Sequence, residues 1–259
     1  MLWLVLTLIL LIFCREIKKH GTVALSGECA DELFGGYPWY RDKDIRMTDG
    51  FPWAQSTAYR KRFLCSEYAD KLDAEDYVYS AYRRTADHAM KLPSDSEVDS
   101  RMREMTELNF YWFMQNLLER KDRMSMYSGL EVRVPFCDYR IAEYMYNVKW
   151  EYKDYQGREK GLLREAMKDW LPEKVLWRKK SPYPKTHNPA FLEAVTEKLR
   201  RILEEGSPLT ELVKADELEK LLMHGENVQW YGQLMNLPQT IAYFIQLDYW
   251  LRRFKIQLV

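Results

Sequence analysis

The segment SGECADELFGG, residues 26–36, holds the residues of this chain whose types and spacing best suit chemistry. Its first two residues, Ser26 and Gly27, directly follow a short apolar run at residues 22–25. A strand that ends in such a pair and turns into a helix points backbone N–H groups outward, where an anion such as phosphate can bind. The segment therefore predicts a phosphate-binding turn at the edge of a sheet.

Acidic residues in the same segment suggest a second kind of chemistry. Glu28 and Asp31 are three positions apart, so they would share one face of a starting helix. Carboxylates of this kind, together with substrate phosphates, are common ligands of Mg²⁺. A simpler role fits equally well: Glu28, Asp31 and Glu32 would complement the positive end of a helix, and Gly35-Gly36 would form its C-cap. From spacing alone, both interpretations stay open.

Two further segments carry charged residues at helical spacing. Lys160 and Arg164 are four positions apart, so they would share a helix face from which both side chains could bind a polyphosphate. Alternatively, they are two solvated residues on the surface. In LLERKDRMSMYSGLEVRVPF, Asp122 and Arg123 end a helix whose apolar residues cover more than one face. A structural ion pair is the simplest role for these two residues.

The composition excludes several classes of protein. Among 259 residues, 39 basic side chains balance 39 acidic ones, so no overall charge favours nucleic acid or an anionic membrane as a partner. The four cysteines show no C-x-x-C spacing, and the four histidines are isolated. We therefore expect no nucleic-acid partner, no histidine-based metal site, reduced cysteines and a cytoplasmic location.

Residues 1–14, MLWLVLTLILLIFC, form an uncharged apolar leader. The leader is shorter than the ~18–20 apolar residues that span a bilayer as a helix. It also lacks the basic region and the cleavage site of a secretory signal. We predict a helix buried against another element, with a short membrane anchor as the alternative.

The rest of the chain, residues 15–259, contains no repeat or long linker that divides it. Residues 22–25 predict a buried strand, and residues 129–138 predict an extended connector that places Arg133 opposite its apolar side chains. Helical periodicity dominates elsewhere, and the final stretch LPQTIAYFIQLDYWLRRF predicts a last helix. Helix boundaries are predicted at Asn188-Pro189, Ser207-Pro208 and Gly225. The fold class is therefore α/β and predominantly helical.

Three stretches together show a resemblance to a known family. TVALSGECADELFGGYPWYRD, LLERKDRMSMYSGLEVRVPFCD and GREKGLLREAMKDWLPEKVLWRKK, in this order, resemble the C-terminal synthetase domain of bacterial glutamine-hydrolysing asparagine synthetases. The resemblance begins near Phe13 and covers most of the chain. It implies part of an ATP-pyrophosphatase domain, which is adenine nucleotide alpha-hydrolase-like. In that family, aspartate attacks the α-phosphate of ATP to give β-aspartyl-AMP and pyrophosphate, and ammonia then displaces AMP.

The resemblance also implies roles for individual residues. Ser26 and Gly27 match positions that line the AMP portion of ATP. Glu28 matches an acidic residue near the acyl-adenylate and the incoming ammonia, and Asp31 matches a Mg²⁺ ligand. Lys160 matches a lysine that stabilises charge on the departing pyrophosphate, as a cation at a phosphoryl transition state does. The implied small molecules are aspartate, ammonia, ATP and Mg²⁺.

The sequence departs from the family in several places. Cys29 stands where the family usually has Gly or Ser, a small replacement that should preserve the turn. The family's first strand and its P-loop, S-G-G-x-D-S, have no counterpart here, and Leu2 follows Met1 where a glutaminase domain has its nucleophilic Cys. We therefore expect an incomplete synthetase domain with an exposed sheet edge, partly covered by the leader. A separate chain would supply the P-loop and the glutaminase.

Two other functions stay open at this stage. The chain could be a non-catalytic remnant or a helical interaction module of the same fold. It could also be a relative that closes a β-lactam or a lactam peptide, although the close match in VALSGECADELFGGYPW favours asparagine synthesis.

Overall fold

A computed structural model describes residues 4–180, 188–225 and 236–258. This part of the chain is mostly helical, with a small parallel sheet, in agreement with the predicted α/β class. The first elements are α1 (Leu4–Lys18), β1 (Val23–Leu25), α2 (Ala30–Phe34), α3 (Lys43–Met47), α4 (Thr57–Lys61), α5 (Ser66–Lys71), α6 (Ala74–His88) and α7 (Glu97–Leu108). The later elements are α8 (Gln115–Tyr127), β2 (Glu131–Arg133), α9 (Tyr139–Tyr146), α10 (Trp150–Lys153), α11 (Gly161–Ala166), α12 (Glu173–Leu176), α13 (Pro189–Glu204), α14 (Leu209–Leu212), α15 (Ala215–His224) and α16 (Leu237–Phe254).

The described residues divide into two compact units. The first, here the sheet unit, takes in the described parts of residues 7–52 and 81–181. The second, here the helical unit, takes in the described parts of residues 1–6, 53–80 and 182–259. One division falls inside α6, after Ser80, where the sequence contains no linker that would have marked it.

Strands β1 and β2 of the sheet unit run parallel, with Val23 opposite Glu131 and Leu25 opposite Arg133. The strand predicted at residues 22–25 is therefore confirmed, and the predicted extended connector contains the second strand. The predicted burial is wrong, because residues Val23 and Leu25 are 46% and 74% exposed. The backbone oxygen of Thr22 accepts a hydrogen bond from Glu131 N–H, and Ser26 N–H donates one to the backbone oxygen of Arg133. Because these directions alternate along a strand, the backbone N–H and C=O groups of Val23 and Leu25 point away from β2, to the outer edge of β1. No partner for that edge lies in the described part of the chain.

Helix α1 contains most of the apolar leader and buries one of its faces. Leu10 and Cys14 are buried in a cluster with Leu130. Ile17 of α1 and Ala24 of β1 pack against the same cluster. The predicted buried helix is thus confirmed for one face. Across the residues that the structure describes, no helix combines the length and the apolar character needed to cross a bilayer.

Helices α7 and α8 are joined by a π-helical turn, Asn109–Met114, so the chain stays helical from α7 to the end of α8. Leu108 and Phe113 are buried, as expected for a helix with apolar residues on several faces. Tyr111 and Trp112 are exposed, so the burial predicted on more than one face is only partly right.

The helical unit has its own core, in which α13 and α16 pack together. Its helix boundaries agree with the sequence. Asn188 Oδ1 accepts a hydrogen bond from the backbone N–H of Ala190 at 3.0 Å, and Ser207 Oγ accepts one from that of Leu209 at 2.9 Å. Gly225 ends α15 in the left-handed conformation. The predicted last helix is α16.

Candidate functional site

The turn between β1 and α2 forms where the sequence predicts it. Ser26 N–H donates to Arg133 O at 2.9 Å, next to the last residue of β1. Cys29 then adopts the left-handed conformation with φ 75° and precedes α2. A Cβ atom added to Gly27 would meet no atom within 4 Å, so the space beside Gly27 is open. The backbone at this turn is therefore accessible to a ligand.

Asp31 is the most strongly paired carboxylate of the turn. Lys160 Nζ lies 3.1 Å from Asp31 Oδ1, and Lys180 Nζ lies 2.8 Å from Oδ2. Burial would raise the pKa of Asp31, but the positive charges of Lys180 and Lys160 outweigh burial and hold the pKa below its usual range. Asp31 is therefore ionised at neutral pH.

Lys160 reaches Asp31 from a constrained backbone position. It directly precedes α11 and has a left-handed φ of 54°. Gly161 packs tightly behind it, because an added Cβ would lie 2.4 Å from the backbone oxygen of Tyr155. The fold therefore fixes the point from which the Lys160 side chain extends.

Arg164 does not join Lys160 in a clamp, in contrast to the prediction from their spacing. Its guanidinium bonds to the carboxylate of Glu159 and to the backbone oxygens of Leu176 and Arg178. Glu159 also accepts a hydrogen bond from the backbone N–H of Lys180 at 3.0 Å. Arg164 therefore ties together the segments from which the two lysines of the Asp31 site extend.

Glu28 has a cationic partner that the sequence did not single out. Lys121 Nζ, on α8, lies 3.1 Å from Glu28 Oε1, and both side chains are largely buried. The neighbouring Arg123 forms an exposed ion pair with Glu119, one turn earlier, with Nη2 3.6 Å from Oε2. Arg123 thus forms an ion pair, as the sequence suggested, but on the surface. Helix α8 continues to Tyr127, so the prediction that Asp122 and Arg123 end it is wrong, and Lys121 is the member of this run that reaches the site.

Glu32 is buried rather than placed at an exposed helix end. Only 2% of the residue is exposed, and the Tyr37 hydroxyl donates to its Oε1 at 2.7 Å. The Tyr40 hydroxyl donates to its backbone oxygen at 3.2 Å. Burial raises the pKa of Glu32 to about 7, although the Tyr37 hydrogen bond opposes the rise. Glu32 therefore belongs to the supporting core of the turn.

The glycines that end α2 have distinct roles. Gly35 is a left-handed C-cap with φ 67°, as the sequence allowed. Gly36 leaves room for the Asp31 side chain, because a Cβ atom at this position would lie 1.7 Å from Asp31 Oδ1. The Gly36 N–H also donates to the backbone oxygen of Asp31 at 2.8 Å. Gly36 therefore allows the Asp31 side chain to occupy its position.

The chemistry of the turn fits a magnesium ion that arrives with phosphate. Asp31 Oδ1 is buried against Lys160 Nζ, 3.1 Å away, so a Mg²⁺ ion that binds this oxygen would displace the lysine or share the oxygen with it. The described residues contain no group of three or more His, Cys, Asp or Glu side chains that could hold a metal. This donor set suits Mg²⁺ bound by a single carboxylate and substrate phosphates, rather than a cage made of protein alone.

Two of the four cysteines are not reduced, in contrast to the expectation from the sequence. Cys29 and Cys137 are joined by a disulfide, whereas Cys14 and Cys65 are free thiols. The expectation of four reduced cysteines is therefore wrong for the first pair. The partners are 108 positions apart, and they meet because each follows one of the two paired strands. Sequence spacing alone offers no signal for such a pairing.

Comparisons with known proteins identify relatives along nearly the whole chain. A family model described as asparagine synthase matches residues 6–252. Asparagine synthetase [glutamine-hydrolyzing] 3 of Bacillus subtilis is 47% identical over 253 residues, which are 96% of this chain and 41% of the relative. Asparagine synthetase [glutamine-hydrolyzing] 1 of the same organism is 30% identical over 227 residues, which are 74% of this chain and 35% of the relative. The chain thus spans about two fifths of the length of these relatives.

Proposed function

Because the chain belongs to the asparagine synthase family, we propose that it carries part of a site for ATP-dependent conversion of aspartate to asparagine. In this reaction the β-carboxylate of aspartate attacks the α-phosphorus of ATP, which gives β-aspartyl-AMP and releases pyrophosphate. Ammonia then attacks the acyl carbon and AMP leaves. The observation that carries the proposal is the meeting of Asp31, Lys160 and Lys180 at the turn after β1.

The turn supplies the nucleotide contact. Ser26 and Gly27 line the adenylate portion of ATP, where the open space beside Gly27 lets the backbone approach the ligand. A larger side chain at Gly27 would fill that space without disturbing the packing of the turn. This placement explains the use of glycine at a position where the fold itself does not require it.

Asp31 and its two lysines act on the phosphates. Asp31 would hold Mg²⁺ together with the phosphates, and the bound ion would supply positive charge that offsets the charge of the triphosphate. Lys160 stabilises negative charge that develops on the departing pyrophosphate. Lys180 keeps Asp31 ionised in the absence of nucleotide, since its charge lowers the pKa of the Asp31 carboxyl. A carboxylate that is already ionised needs to lose no proton before it binds a cation.

Glu28 serves the second half-reaction. A carboxylate near the acyl carbon can accept a proton from the attacking ammonia. The ion pair with Lys121 holds the Glu28 side chain in one position, and the limited exposure of both groups strengthens their attraction. Lys121 is therefore a positioning residue for Glu28.

The P-loop and the glutaminase activity come from a segment outside these 259 residues. The free edge of β1 supports this part of the proposal, because parallel sheets seldom consist of two strands with an open, apolar edge. A strand added in parallel beside Val23 and Leu25 would end at the same edge as Ser26. Its following loop would then lie close to the Asp31 site. We place the assembled protein in the cytoplasm.

The measurement that tests the function is aspartate-dependent exchange of radioactive pyrophosphate into ATP. We expect no exchange by the isolated chain, and exchange after the N-terminal part of the Bacillus subtilis relative is added. The same mixture with Asp31→Asn should give no exchange. Absence of exchange in every mixture, together with unaltered binding of the added part, would favour the alternative function of a non-catalytic interaction module.

A further inference from the structure

We propose that Cys29 and Cys137 form a reversible thiol–disulfide pair that determines how firmly the turn carrying Glu28 and Asp31 is held. The pair is joined in the structure, with the two Cα atoms 5.7 Å apart. This separation is within the range that a disulfide bridges without backbone movement. The pairing itself stands on the structure alone, whereas part of the argument for its reversibility, and its effect on catalysis, rest on the proposed function.

The disulfide lies just beyond the end of the sheet. The bond from Ser26 N–H to Arg133 O is the last backbone hydrogen bond between the two strand segments in the described part of the chain. After it, one segment turns into α2 and the other passes through the short helix Pro135–Cys137. Only side chains then join the two segments, through the disulfide and apolar contacts such as that of Phe34 with Phe136.

The position of Cys29 makes this crosslink relevant to the site. Cys29 follows Glu28 and precedes α2, which carries Asp31. Its left-handed backbone conformation is an uncommon one for a residue with a side chain. A side chain at Gly27, two positions earlier, would meet no atom within 4 Å, so there is open space beside the turn. Reduction would therefore remove a covalent tie from a turn that hydrogen bonds, the Glu28–Lys121 ion pair and the apolar packing of α2 otherwise hold.

Two observations and the proposed location favour a reversible bond over a permanent one. Cys14 and Cys65 remain thiols, so the chain is not stabilised by disulfides throughout. Disulfides in cytoplasmic proteins are usually transient, and this chain is proposed to act in the cytoplasm. Cys137 is partly exposed whereas Cys29 is buried, so an external thiol can reach one sulfur of the bond.

Oxidation by a small-molecule disulfide such as oxidised glutathione completes the chemistry. The Cys137 thiolate attacks one glutathione sulfur, which forms a mixed disulfide and releases one glutathione thiolate. The Cys29 thiolate then attacks the Cys137 sulfur, which closes the protein disulfide and releases the second glutathione thiolate. The two protons of the cysteine thiols end on the two glutathione thiols, and the two electrons reduce the glutathione disulfide. Reduction follows the same steps in reverse.

Thiol trapping tests the pair directly. The chain is equilibrated with different ratios of reduced to oxidised glutathione, quenched with acid, unfolded and alkylated, and its peptides are identified by mass spectrometry. We expect Cys29 and Cys137 to change together from alkylated to disulfide-bonded as the buffer becomes more oxidising. Cys14 and Cys65 should not form the same crosslink, and Cys65→Ser should leave the transition unchanged. A pair that never closes, or never opens at the most reducing ratio, would overturn the proposal.

Hydrogen–deuterium exchange tests the effect on the turn without requiring activity. Peptides covering residues 26–32 should exchange several-fold faster in the reduced chain and in Cys137→Ser than in the oxidised chain. Peptides from α16, in the helical unit, should exchange equally in all three. Equal rates at the turn would contradict the proposed restraint.

If the turn responds but pyrophosphate exchange is absent in every mixture, the redox pair stands and the proposed function fails. If pyrophosphate exchange into ATP is equally fast with the oxidised and the reduced chain, the proposed coupling between the disulfide and catalysis is wrong.

Discussion

Lys180 Nζ donates a hydrogen bond to Asp31 Oδ2 at 2.8 Å, although the two residues are 149 positions apart in the chain. Lys180 lies after α12, and its ammonium group also lies 4.3 Å from the centre of the Tyr37 ring. The contact brings the end of a basic run to the acidic turn after β1. The electrostatic state of Asp31 therefore depends on a segment far away in sequence.

Replacing Lys180 by methionine should make the Asp31 site less stable at neutral pH. Asp31 has a lowered pKa, so its pairing stabilises the fold above the unfolded pKa, and this stabilisation is lost as pH falls through the folded pKa. Lys180→Met should lower the free energy of unfolding at pH 7 by about 1–2 kcal/mol, and the deficit should shrink on acidification. Urea unfolding at pH 7 and at pH 3 measures both quantities. Lys179→Met, at an exposed neighbour, is the control, and equal behaviour of the two variants would contradict the prediction.

Replacing Gly36 by alanine should displace Asp31. The new Cβ would lie 1.7 Å from Asp31 Oδ1 and 3.0 Å from the Asp31 Cα, so the turn cannot accept it without movement. We expect a loss of about 1–3 kcal/mol in the free energy of unfolding, as for other overpacked sites.

Gly27→Ala is the matched control for Gly36→Ala. Since no atom lies within 4 Å of its added Cβ, the change should leave the melting temperature nearly unaltered. Under the proposed function it should nevertheless weaken ATP binding by the completed domain, which calorimetry measures. A large loss of stability in Gly27→Ala would show that the open space beside Gly27 is not present in solution.

Glu32 should make the fold less stable as pH rises. Its pKa is raised from 4.5 to about 7, so the folded chain binds this proton more tightly than the unfolded chain does. Its contribution is therefore fully present below pH 4.5 and is lost as pH rises through about 7, with a total near 3 kcal/mol. Glu32→Gln, which keeps an oxygen for the Tyr37 hydroxyl, should remove this pH dependence.

Urea unfolding of the wild type and Glu32→Gln between pH 4 and pH 8 provides the measurement. The difference between the two stability curves isolates Glu32, because all other titrating groups are common to both proteins. Glu151→Gln, a change at an exposed site, should follow the wild-type curve. Parallel curves for wild type and Glu32→Gln would contradict the prediction.

The local parts of the structure could be predicted from the sequence because short-range signals determine them. The apolar run before Ser26 predicts β1, and Asn188-Pro189 predicts the start of α13. The left-handed C-cap at Gly35 and the last helix follow from the same kind of local pattern. In each case the residues that decide the conformation are neighbours in the chain.

The partners of the site residues could not be predicted in the same way. Lys121 lies in a charged run in which the sequence pattern pointed to Asp122 and Arg123 instead, and only the packing of α8 decides that Lys121 faces Glu28. Spacing placed Lys160 and Arg164 on one helix face, but the helix begins after Lys160. Long-range placement therefore determines the electrostatics of the site, and it leaves no periodic signal in the sequence.

The apolar leader gives the last prediction, because α1 has a buried and an exposed face. Leu10 is 1% exposed and packs in the cluster that contains Cys14 and Leu130, whereas Ile12 is 60% exposed. Leu10→Ala should therefore lower the free energy of unfolding by about 2–5 kcal/mol, and Ile12→Ala should change it by less than about 0.5 kcal/mol.

Deleting residues 1–12 removes most of the leader, including Leu10, and tests the same contact more severely. The deletion removes Leu10 from the cluster around Leu130, which packs against a sheet whose β1 edge is already free. We therefore expect a lower melting temperature and greater association at high concentration. Differential scanning calorimetry and light scattering measure the two effects. Unchanged stability and solubility after the deletion would show that α1 does not protect the sheet, whatever the effect of Leu10→Ala in the full chain.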